Sequence, residues 1–258
     1  MGAMRSNAHE LKRFYASPLG RGARGSIAVG LSRIWRPLPN ERLVGLGYAI
    51  PWLGDLSRRA GRSLALMPAA QGAQRWPKDG PSRTTLVFDE ELPLADASVD
   101  RVLMVHALEH AEQPLEALRE VHRVLAANGR VVVVVPHRRG LWARFEHTPF
   151  GTGRPWSRGQ LTRIVESAGF TIADVNDALL FPPLPRGPVD RLWRPFDWVG
   201  RKALSTFSGA IIAVGAKGGQ ATGVSAEVRL LRRPVAMPEP VAETIPQPNC
   251  VSGGPAAS

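Results

Sequence analysis

The feature that most constrains this chain is the run Arg130-Val131-Val132-Val133-Val134-Val135-Pro136. Five consecutive β-branched residues carry neither a helical stripe nor the alternation of a half-exposed strand. They suit a strand with both faces buried. Covering both faces takes helices on either side, and the crossovers that place them there return the chain in the same direction, so a parallel sheet is expected. The surroundings agree. Residues 114–126, PLEALREVHRVLA, have the spacing of an amphipathic helix, with Pro114 at the start and Asn128-Gly129 beyond the end. Residues 42–48, 63–67, 84–88 and 98–106 read as further short strands, and 54–61 as a helix stopped by Gly61. After the valine run come a helix at 157–170, strand-like stretches at 170–181, a proline loop at 182–188 and a strand at 209–218. Residues 9–36 read as helical, broken at Ser17-Pro18.

Composition narrows the setting. The 258 residues suffice for one domain with a sizeable core plus extensions. With 44% hydrophobic and 21% charged residues the chain is ordinary for a globular protein, and no run of 18 apolar residues appears. Cys250 is the single cysteine, which excludes disulfides within the chain and fits a reducing, cytoplasmic setting. The start of the chain lacks the apolar segment of a secretory signal, while Gly2 and Ser6 match a short myristoylation pattern. The net charge of +11 is concentrated. Residues 138–163 hold Arg138, Arg139, Arg144, Arg154, Arg158 and Arg163 against Glu146 alone, and residues 1–42 are similarly basic. Such fields attract anionic partners, whether an anionic membrane surface or an acidic protein, with nucleic acid less favoured; use of arginine for solubility is the plainer alternative.

The most specific stretch is LPLADASVDRVLMVHALEH at 92–110, followed by the 114–126 helix and NGRVVVVVP. Leu92, Pro93, Asp96, Ser98, Asp100, Val102, Leu108, Glu109, His110, Glu120, Arg123, Val124, Leu125 and Gly129 fall on one pattern. In this the chain resembles the type 11 group of class I S-adenosylmethionine-dependent methyltransferases. The resemblance implies an α/β fold: a Rossmann-like, doubly wound, mostly parallel seven-stranded sheet with an antiparallel last strand. It also implies S-adenosyl-L-methionine as cofactor and a methyl acceptor, anionic or aromatic, that the sequence does not identify. The expected organisation is an N-terminal helical extension (1–39), a methyltransferase-like domain (40–218) with a basic, aromatic lid or insertion at 137–160 and 182–207, an edge extension (219–233) and a disordered tail (234–258).

The same resemblance places the site. Gly45, Gly47, Tyr48 and Ala49 occupy the glycine turn after the first strand, Met67 closes the second, and Asp89, Glu90 and Glu91 follow the third, where the family approaches adenine. His106, at the end of the fourth strand, is the implied base or cofactor contact. The glycine motif departs from the family: Gly45 stands for an acid, Ala49 and Pro51 for glycines, and Met67 for a second acid. Each missing charge-assisted hydrogen bond is worth roughly 1.5–3 kcal/mol. A binding or scaffold protein that keeps the fold without catalysis is therefore the competing expectation. His106 to His110 also satisfies H-x-x-E-H, a zinc-site pattern, but the preceding strand and Pro114 favour a turn over the helix such a site needs. Residues 189–207, with interleaved Trp and Arg, are a candidate membrane-surface segment.

Overall fold

The computed structural model describes residues 6–34, 40–184 and 208–218. The N-terminal segment is two helices, α1 (Ala8–Ala16) and α2 (Pro18–Ile34). A capping box joins Asn7 and Glu10 at the start of α1, and Ser17 ends it in an extended conformation, as expected of a residue before proline. Then follow β1 (Arg42–Gly47), α3 (Ile50–Ser57), β2 (Arg62–Pro68), β3 (Thr84–Val87), β4 (Val99–Val105), α4 (Pro114–Val124) and β5 (Leu125–Pro136). Two short 3-10 turns, α5 (Arg158–Ser167), β6 (Thr171–Ala178) and β7 (Ala210–Ala216) complete the described chain.

The strands form one sheet in the order β3-β2-β1-β4-β5-β7-β6. Pairs from β3 through β5 are parallel, and β7 is antiparallel to both β5 and β6. The mostly parallel seven-stranded sheet with a reversed final strand is thus present. The valine run alternates between two cores: Val132 and Val134 pack with α1 and α2 residues such as Leu11 and Ile27, whereas Val131, Val133 and Val135 pack with Leu118, Val121, Leu161 and Val165.

Two boundaries differ from the sequence reading. The helix expected at 54–61 begins at Ile50, with Pro51 in its first turn, where a missing N–H costs nothing. The valine strand begins at Leu125, because Val99 pairs with Leu125 before the register shifts at Arg101. The segment 106–110 is a turn, and the 137–160 stretch lies against the sheet end with Trp142 and Phe150 fully buried. The readings at 189–207, 219–233 and 234–258 fall outside the described residues, as does most of 182–207.

Candidate functional site

In an open parallel sheet a ligand sits beyond the carboxyl ends of the strands, where strand order reverses. Here that point lies between β1 and β4. Gly47 ends β1 with φ +78°, and a Cβ on it would come within 2.4 Å of the Val105 carbonyl. Only glycine fits, and the tight approach lets Tyr48 N–H donate to Val105 O at 2.7 Å. Gly45 is needed for a different reason: its Cβ would meet Leu53 and Ala49, so it admits α3 close to the strand. Ala49 packs inside as the residue before that helix.

His106, the first residue beyond β4, has φ +51°, a conformation uncommon for a non-glycine residue and one that clusters at functional sites. Its ring is buried, with both nitrogens engaged. Nδ1 lies 3.0 Å from Glu109 Oε1, and Nε2 lies 2.7 Å from the hydroxyl of Tyr15 on α1. Burial pushes the Glu109 carboxyl up, but the hydrogen bond and charge of His106 and the nearby His110 outweigh it, so its pKa lies below the usual value. A carboxylate only accepts, so Nδ1 is the donor, and in the neutral imidazole Nε2 then takes the Tyr15 O–H. Burial, with Tyr48 and Glu109 nearby, raises the Tyr15 pKa well above its ordinary value, consistent with a phenol that donates.

Aromatic rings surround that hydroxyl. Tyr15 stacks on Tyr48 (5.9 Å, 11°) and meets Trp52 edge-on at 5.2 Å. Phe150 tilts against His106 at 4.9 Å. Tyr48, raised in pKa by burial, donates to Gln74 Oε1 at 2.7 Å. The Gln74 backbone N–H points at Met67 Sδ (3.2 Å), and Met67 is fully buried. Gln71, also buried, reaches across from the end of β2 and donates its Nε2 to the His106 carbonyl at 2.9 Å, while its backbone carbonyl accepts from the Ala8 N–H of α1 at 2.8 Å.

The sequence-predicted residues therefore divide. Gly47, Tyr48, Ala49, Met67 and His106 converge on the strand ends, and Gly45 belongs to the α3 contact. Asp89, buried, and Glu90, exposed, line a separate cavity of about 250 Å³ with Pro68, Ala69, Ala70, Val87, Phe88 and Glu112. Tyr15, Gln71, Gln74, Trp52 and Glu109 complete the site, and sequence reasoning assigned none of them a role. Tyr15 carried a faint signal in the apolar face of residues 9–36; the glutamines, in an aperiodic loop, carried none.

Residues 44–133 match the family model described as a methyltransferase domain. A relative from Mycolicibacterium smegmatis, named a probable S-adenosylmethionine-dependent methyltransferase, is 32% identical over 133 residues, half of this chain and half of that one. The chain thus spans about half the length of that curated relative. An S-adenosylmethionine-dependent methyltransferase of Thermotoga maritima is similar in fold (TM-score 0.55, 20% identity, 81% of this chain and 95% of that one). So is a chain from the complex of the Haloferax volcanii Trm112 methyltransferase activator with a methyltransferase (TM-score 0.59, 19% identity, 82% and 95%).

The cofactor of the matched family is S-adenosyl-L-methionine, and in this structure α1 lies over the strand ends where an open parallel sheet binds its ligand. Gln71 and Tyr15 close over the end of β4, bonded to the His106 carbonyl and ring respectively. Two buried acceptors, Gln71 Oε1 and Glu109 Oε2, meet no hydrogen-bond donor in this arrangement. Sheet order and the reversed final strand agree with the fold of these methyltransferases, and residues 44–133 match the methyltransferase domain model.

Proposed function

We propose that the protein is an S-adenosylmethionine-dependent methyltransferase acting on an acceptor yet to be identified, and that the structure represents its closed, resting form. The observation that carries the reading is His106 at the end of β4, a strained, buried imidazole oriented by Glu109 within a methyltransferase domain. An imidazole so held acts as a general base where an acceptor must lose a proton, and its partner keeps Nε2 free of hydrogen for that purpose. Gly47, Tyr48 and Ala49 would offer backbone groups, and Asp89 and Glu90 would lie toward the nucleobase from the smaller cavity. A cytoplasmic setting and an anionic or aromatic acceptor belong to the same reading, supported by the single cysteine and the arginines of 138–163. Among the described residues no helix is long and apolar enough to cross a membrane.

A second reading, a binding protein that keeps the fold without catalysis, draws on the filled crevice and on Met67 and Gly45 in place of acids. Calorimetric titration of the intact chain with S-adenosylhomocysteine separates the two. Saturable binding is expected; no heat at millimolar ligand, in the wild type and in a variant with a loosened α1, would favour the second.

A further inference from the structure

The group occupying the reactive end of the site is a phenol, and it comes from the edge of the fold. Tyr15 sits on a nine-residue helix whose buried residues are Ala8, Leu11 and Tyr15. A break at Ser17 separates that helix from α2: the Ser17 hydroxyl donates to Phe14 O (2.6 Å) and accepts from Gly20 N–H (3.0 Å), and Ser17 itself is extended. A cavity of about 360 Å³ lies at this break, lined by Glu10, Arg13, Phe14, Ser17, Pro18, Leu19 and His147. The rings against Tyr15 come from elsewhere, Tyr48 after β1, Trp52 on α3 and His106 after β4, and Phe150 beyond β5 backs His106 and the neighbouring Phe14. Trp52 is fixed independently of α1, its Nε1–H donating to Arg24 O at 3.1 Å. With α1 displaced, these four side chains would enclose a flat hollow with a hydrogen-bond acceptor, His106 Nε2, at its end.

From this arrangement we infer that Tyr15 is an internal stand-in for the acceptor, and that the box of Tyr48, Trp52, His106 and Phe150 binds a free phenol whose hydroxyl donates to His106 Nε2 once α1 swings away at Ser17-Pro18. The inference rests on the methyltransferase reading for what the ligand is for, but not for whether it binds. Its chemistry is that of the contact already present: stacking on Tyr48 selects a planar ring, and His106 Nε2 as acceptor selects an O–H donor. The two orphaned acceptors, Gln71 Oε1 and Glu109 Oε2, mark a pocket whose polar groups are incompletely met while α1 fills it. A ligand competing with α1 binds with an apparent affinity lowered by the fraction of open protein, so loosening α1 must tighten binding.

The probe is p-cresol, with toluene as the ring lacking the hydroxyl, titrated into the full chain and into Leu11→Asp. Leu11 is buried on α1 and belongs to none of the four walls. p-Cresol should bind the variant at least tenfold more tightly than the wild type, and at least tenfold more tightly than toluene. In the wild type, which needs no variant to fold, saturating p-cresol should speed amide hydrogen exchange across residues 8–16, and toluene should not. Equal affinity for both proteins, loss of the preference for the hydroxyl, or unchanged exchange in α1 would each overturn the inference. S-adenosylhomocysteine titrated into the same two proteins keeps the readings apart. Cofactor binding without p-cresol binding removes the phenol assignment alone; p-cresol binding without cofactor binding removes the methyltransferase reading alone.

Discussion

The two faces of the sheet are built to different standards. On the face under α4 and α5, Leu118, Val121, Leu161 and Val165 meet Val131, Val133, Ile211 and Ala213 in an uninterrupted apolar layer. Its polar margin is closed as well: Arg123 binds Glu120, Asp96 and the Leu92 carbonyl, while Glu120 accepts the Leu92 N–H at 2.8 Å. On the face under α1 to α3, the core admits His106, Glu109, Gln71 and two tyrosine hydroxyls, with two acceptors left over. An apolar layer holds the sheet together, with the buried Trp156 Nε1–H its one unmet donor among the described core residues. The mixed one carries strain and unmet polar groups, features that cluster at functional sites.

The sharpest way to break this contrast is to truncate one residue from each face. Leu118→Ala removes a fully buried side chain from the apolar layer and should cost about 2–5 kcal/mol in urea denaturation. Tyr15→Phe keeps the ring and deletes the hydroxyl, leaving His106 Nε2 buried without a donor, and should cost about 1–3 kcal/mol. Hydrogen exchange adds a second readout: Tyr15→Phe should loosen residues 8–16 and leave α4 and α5 protected, whereas Leu118→Ala should lower protection throughout. A uniform response to both would mean that α1 is ordinary core and that the two faces do not differ in kind.

The same contrast explains what could be read in advance. The valine run, the 114–126 helix and the final strand were legible because their burial is periodic or continuous, so each residue reports its own environment. The places of Gly47 and His106 at the ends of β1 and β4 were legible through motif position. The closure of the crevice was not, because it depends on pairings with no local signature. Tyr15 and His106 are 91 residues apart, and Gln71 reaches a carbonyl 35 residues away. In sequence Tyr15 is one more apolar position on a helix; only the fold turns its hydroxyl toward an imidazole. The missed start of α3 has a similar origin, since Ile50-Pro51 directly after a glycine turn reads as loop until the strand end is seen to flow straight into the helix.

Acid provides a graded test that samples both faces. His122, on α4, is held below its ordinary pKa by burial and by the charge of Lys217, and His137, at the end of β5, by burial. A histidine whose folded pKa is depressed binds its proton more readily when unfolded. Its contribution to stability is complete above the unfolded value of about 6.5 and declines as pH falls below it. Among the carboxylates, Asp100 is depressed by its hydrogen bond from Arg42, Glu120 by that from Arg123, and Glu109 because His106 outweighs its burial. Their contribution is complete above about pH 4 and is lost below it. Stability should therefore be flat from pH 8 to 7, fall below about 6.5 and fall again below about 4. In the second stage Glu109→Gln should flatten the descent and unprotect α1 first. Stability that rose on going from pH 7 to 5 would contradict the sign for both histidines.

The smallest effect belongs where neither face is involved. Asp55, on α3, pairs with Arg24 of α2 at 3.3 Å and with Arg58 one turn on, and its side chain is 60% exposed. Both partners are solvated, and an exposed ion pair gains little over water after the cost of ordering two long side chains. Asp55→Asn should change stability by less than about 0.5 kcal/mol at low salt and by less still at 0.5 M salt, where the screening length is only a few ångströms. The position is informative because Arg24 also offers its carbonyl to Trp52, a wall of the proposed ring site. A carbonyl fixed within α2 does not need its own side chain to be anchored, so p-cresol affinity in the Leu11→Asp background should be unmoved by Asp55→Asn. A shift of tenfold or more would mean that the Arg24–Asp55 pair sets the position of Trp52, and that the ring site extends its support to the outer surface of α2.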